Sequence, residues 1–105
     1  MRYKIKYQTR GKVESYIAMA TAQIEWFVGS LYSAAEQMSI LQSISDEVME
    51  MAKTTTKGLT AQPKCEIEGS IDKTLIVRNT NGREVLMVWF ERVYEKGEGP
   101  QCRKL

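Results

Sequence analysis

The stretch that most restricts the fold is Arg83–Tyr94, REVLMVWFERVY, which follows Asn81-Gly82 and reads as a strand with apolar residues on both faces. An Asn-Gly pair favours a two-residue type I′ turn, because both central residues of that turn take positive φ. Thr74–Asn79 is therefore expected to run back antiparallel, with Thr80 opposite Arg83. The pairs that follow are Asn79–Glu84, Arg78–Val85, Val77–Leu86, Ile76–Met87, Leu75–Val88 and Thr74–Trp89, and opposed residues share a face. One face collects Leu75, Val77, Leu86, Val88 and Phe90, a plain core surface. The other mixes Ile76, Val85, Met87 and Val93 with Arg78, Trp89 and Glu91.

Earlier in the chain, Arg2-Tyr3-Lys4-Ile5-Lys6-Tyr7 alternates cations with apolar side chains, the pattern of a strand with one buried face. Lysines on such a strand also discourage edge-to-edge pairing. After a turn at Gln8–Gly11 the period changes. Ile17, Ala20, Ile24, Phe27, Leu31, Ala34, Met38 and Leu41 recur at steps of three and four, which predicts a long helix starting near Val13. Unbroken to Ala52 it would be about 60 Å long, against about 40 Å for a twelve-residue strand. Either it overhangs the sheet and packs on another subunit or it breaks, first around Ser39–Ser45, where Ser43-x-x-Asp46 offers a fresh helix start, and second, as a kink, at Gly29-Ser30. Lys53–Pro63 reads as a connector with Gly58 as helix cap, and Cys65–Glu68 as a short strand whose parity the Gly69–Asp72 turn leaves open.

These elements predict an α+β fold of order β-α(-α)-β-β-β: a four-stranded antiparallel sheet with the long helix packed on one face. Residues 1–95 are expected to form a single domain and 96–105 a flexible C-terminal tail. A chain of 105 residues has room for one modest core.

The inventory for chemistry is thin. There is no histidine, which removes the commonest zinc sites and every His-based triad. Cys65 sits in a strand and Cys102 has no base beside it in sequence, so no catalytic residue, metal or cofactor is expected. The apolar window Tyr16–Ala35 contains Gln23 and Glu25, and a carboxylate near the centre of a span costs about 2.5–3.5 kcal/mol, so no membrane span is expected. The N-terminus has no continuous apolar run of the signal-peptide kind, which points to a cytoplasmic protein with reduced thiols.

Binding is what remains. One helix layer cannot cover both sides of the sheet, so Ile76, Val85, Met87 and Val93 would form an exposed patch with Trp89 and Arg78 as anchors, as in a homo-oligomer interface. Alternatively, the second helix or the first strand folds over that face. Trp89 could also stack on a planar group while Arg78 holds an anionic one. Arg10-Gly11-Lys12 adds two cations where free backbone N–H groups converge at the helix start. The expected function is a non-catalytic homo-oligomer that sequesters a small anionic, nucleotide-like ligand or masks a protein partner as an inhibitor does. The alternative is nucleic-acid binding through the basic first strand. Met1–Lys12 carries five cations and no acid, whereas ten basic residues meet thirteen acids in the remainder. Against that alternative, strict alternation sets Tyr3 and Tyr7 on the face opposite the lysines, where they could not stack beside phosphate contacts.

Overall fold

A computed structural model describes residues 1–55, 62–69 and 72–94. The elements run β1 (Arg2–Thr9), α1 (Ser15–Ile24), α2 (Ala34–Thr55), β2 (Lys64–Glu68), β3 (Thr74–Arg78) and β4 (Glu84–Val93). The strands form one antiparallel sheet in the order β1-β4-β3-β2. This is the expected α+β class. The Gly58 cap, Cys102 and the 96–105 tail lie outside the described residues.

The far half of the hairpin keeps the predicted register: Val77–Leu86, Ile76–Met87, Leu75–Val88 and Thr74–Trp89 all pair. Its tip does not. Only Gly82 has positive φ there, at 84°, so the two-residue type I′ turn is absent. Asn79 pairs with Arg83 across a three-residue loop, its N–H donating to the Arg83 carbonyl at 2.8 Å. The Asn79 side chain holds the turn, accepting from the N–H groups of Asn81 at 2.9 Å and Arg83 at 3.0 Å. Arg78 consequently faces Glu84, and a bulge at Val85 restores the register from Val77 onward.

The helix breaks at the second of the two expected places. Residues 25–33 separate α1 from α2, with Gly29 at φ 96°, while Ser39–Ser45 is uninterrupted helix. The operative start signal is Ser33-x-x-Glu36, in which the Ser33 N–H donates to Glu36 Oε1 at 2.8 Å, half of a capping box. Between the helices, Tyr32 exchanges both backbone hydrogen bonds with Tyr3, each at 2.8 Å, which ties the connection to the outer edge of β1. The break also ends the heptad seam. Ile17, Ala20 and Ile24 are buried, but Leu31 and Met38 are exposed, and α2 turns Gln37, Leu41, Ile44, Val48 and Ala52 inward instead.

Both helices contribute to one core. Tyr16, Ile17 and Ile24 of α1 and Leu41, Ile44 and Val48 of α2 cluster with Ile5, Leu75, Val77, Leu86, Val88 and Phe90 of the sheet. Cys65 and Ile67 pair with Val77 and Leu75 and therefore join this covered face, which settles the parity of β2. Among the described residues no helix or strand folds over the opposite face. No helix there is long and apolar enough to cross a membrane.

Candidate functional site

The uncovered face of the sheet is built in rows, because opposed residues of an antiparallel pair point the same way. Lys6 stands opposite Trp89, Trp89 opposite Thr74, and Thr74 opposite Glu68. The next row on this face is Gln8, Met87, Ile76 and Glu66. Read across the strands, the face is zoned. Arg2, Lys4 and Lys6 line the β1 side, Trp89, Met87 and Ile76 the middle together with Glu91, and Glu66 and Glu68 the β2 side, with Lys64 at its hairpin end.

The expected interface residues fare unequally. Met87, Trp89 and Val93 are partly exposed, whereas Ile76 is only 8% exposed. Val85 is a correction. The bulge places it in the core cluster at 4% exposure, so it is not available to an interface. The Trp89 indole N–H donates to Glu91 Oε2 at 3.2 Å, which fixes the ring beside the lysines.

Arg78 is also placed differently from the expectation. Its guanidinium bridges Glu66 at 3.1 Å and Glu84 at 3.3 Å, so two carboxylates already engage it. Four residues of β3 separate it from the Trp89 row, about 13 Å at the usual rise.

Arg10, Gly11 and Lys12 do come together, at the hairpin end of the molecule. They line a cleft of about 430 Å³ with Asn79, Asn81 and Arg83. Gly11 turns the chain with φ 69°. Glu14 and Glu84 are the acids of the cleft, and Glu84 lies 3.9 Å from Arg10 while Arg78 holds it from the other side. Arg83 is the member sequence reasoning missed. The three-residue loop turns it toward the chain reversal after β1, and the Asn79 side chain was the available signal.

A second apolar surface lies on the outside of the helix pair. Met19, Ala22, Trp26, Phe27 and Met51 border a groove of about 550 Å³, and Trp26 is 86% exposed. The near absence of charge along Ser15–Ile44 was its sequence signature.

Burial pushes the Cys65 thiol up from its ordinary value against a smaller opposing effect of the Ser45 side chain, so it rests protonated, and it donates to the Ser45 carbonyl at 4.0 Å. Tyr16 is 1% exposed, and its hydroxyl has no hydrogen-bond partner. Burial first, and the nearby Glu14 charge second, push its pKa up to about 12. Tyr7 donates to Glu25 Oε2 at 2.6 Å, and this hydrogen bond is the main reason its pKa is raised.

No family model, no curated protein and no solved structure matches this chain.

Proposed function

We propose that the protein is a non-catalytic, self-associating binding protein of the cytoplasm, whose uncovered sheet face is its association surface and whose hairpin-end cleft takes a small anion. The observation that carries this reading is the one-sided coverage of the sheet. Both helices pack on the Leu86 face, and Met87, Trp89 and Val93 are left half-exposed on the other. Aromatic side chains and Met are enriched at protein interfaces, and a contiguous apolar patch flanked by charge is their usual form. Arg10, Lys12 and Arg83 around Gly11 supply the cations for a phosphate-like group. Separation from Trp89 narrows the ligand from a stacked planar anion to the anionic group itself.

Light scattering at micromolar concentration tests the association. A mass of at least twice 12.0 kDa is expected for the native chain, falling to 12.0 kDa in Trp89→Ala. A native mass of 12.0 kDa at all accessible concentrations removes the reading.

One observation favours a second reading, single-stranded nucleic acid on the same face. Lys6 and Trp89 are cross-strand neighbours, so a stacking ring stands beside cations. This binding would weaken steeply with salt and with charge reversal at Lys4 and Lys6, and it would compete with self-association.

A further inference from the structure

We infer that the occupant of the uncovered face is a second copy of this chain, seated face to face about a two-fold axis parallel to the strands. The inference rests on the self-association proposed above and adds its symmetry.

With the strands of the two copies aligned, one sheet face can stack on itself about two in-plane axes. A two-fold perpendicular to the strands lays β1 over the partner's β1 and sets three cations, Arg2, Lys4 and Lys6, against their own copies. Like charges in such juxtaposition are strongly disfavoured. A two-fold parallel to the strands, passing between β4 and β3, reverses each row onto itself instead. The row Lys6, Trp89, Thr74, Glu68 then meets Glu68, Thr74, Trp89, Lys6 of the other copy. Each lysine lies over a glutamate at both ends of the row, and each indole lies over a threonine in the middle. In the neighbouring row Met87 lies over Ile76. Along the Lys6 row the basic and acidic ends are complementary to themselves only under this axis, while Lys4 faces Glu91 within its own copy.

Within one copy Lys6 and Glu68 cannot satisfy each other. Three strand spacings separate them, about 14 Å, beyond the screening length of about 8 Å at physiological salt. Their attraction is available only between copies.

The test uses the full chain with Lys6→Glu and Glu68→Lys, two exposed positions. Alone, each variant sets like charges together twice per dimer and is expected to self-associate roughly tenfold more weakly than the native chain. Mixed in equal amounts, the two form a heterodimer in which both contacts are opposite again, so native mass spectrometry should show the mixed species well above the share that random pairing gives, with both homodimers depleted. That recovery also proves both variants folded. If the native chain dimerises but the single variants associate as tightly, or the mixture shows no excess heterodimer, the axis is wrong and self-association stands. If the native chain is monomeric throughout, self-association fails and the axis with it.

Discussion

The two faces of the sheet are woven from the same strands, and β4 supplies large apolar side chains to both, yet they have opposite fates. On the covered face Leu86 and Val88 are fully buried in the core cluster that also holds Leu41 and Ile44 of α2 and Ile17 of α1. On the other, Met87 and Trp89 have no helix over them among the described residues and stay partly exposed. The difference is not in hydrophobicity. It comes from where the 25–33 break lets the helices go: Tyr32 fastens the connection to the edge of β1, so α2 doubles back over the face that α1 already covers. A strand with two apolar faces and a single layer of helices leaves one face as surface, and the charges flanking it decide what that surface can meet.

The sharpest way to break this comparison is to truncate neighbours in sequence that point opposite ways. Leu86→Ala removes a fully buried side chain and leaves a cavity, so a loss of about 3 kcal/mol in denaturant unfolding is expected. Met87→Ala, one residue on and half-exposed, should cost about 1 kcal/mol or less in the monomer while weakening self-association. Equal losses at the two positions would mean that the second face is as well packed as the first.

The sequence made the two faces visible but not their edges. Period-two alternation fixed Val77–Leu86 to Thr74–Trp89, because a one-residue slip there would expose the whole core set. It could not anticipate that Asn79 would cap the loop with its own side chain, add a residue to the turn and force the compensating bulge that moves Val85 inward. The break was legible only as a choice. Ser43-x-x-Asp46 competed with Gly29, and the true start at Ser33-x-x-Glu36 lay unnoticed between them. The pairing of Tyr32 with Tyr3 joins residues twenty-nine apart, which no local pattern encodes. Of the site, Arg10, Gly11 and Lys12 were readable as a local cluster. That Glu66 and Glu84 neutralise Arg78 depends on three strands meeting and was not.

A smaller effect sharpens the account of the covered face. Tyr16 has its hydroxyl buried there with no partner, and an unmade hydrogen bond costs more than an absent hydroxyl. Tyr16→Phe should therefore stabilise the protein by about 1 kcal/mol at neutral pH. The folded pKa of about 12 lies above the ordinary 10.0, so no ionisation penalty acts below pH 10, and stability is lost as pH rises from 10 through 12, where the unfolded chain ionises this phenol and the folded one does not. The native chain should accordingly lose stability faster than Tyr16→Phe between pH 10 and 12, against a common background from Tyr7, whose raised pKa acts in the same direction.

The smallest effect belongs to the break that sets the comparison up. Glu36 is fully exposed, and its carboxylate accepts from the Ser33 N–H at the first turn of α2, where a negative charge also meets the positive end of the helix dipole. That backbone hydrogen bond is the main reason its pKa is held below 4.5, with Arg2 nearby as a lesser one. A lowered folded pKa means the stabilisation is complete above 4.5 and is lost as pH falls through the folded value. Glu36→Gln keeps an acceptor for Ser33 but removes the charge, so a slightly lower melting temperature is expected at pH 7, with the difference from the native chain closing below pH 4.5. Glu36→Ala removes the acceptor too and should fall further at pH 7. If both variants melt with the native chain at every pH, then Gly29 and the Tyr3–Tyr32 pairing end one helix and begin the next without help from this cap.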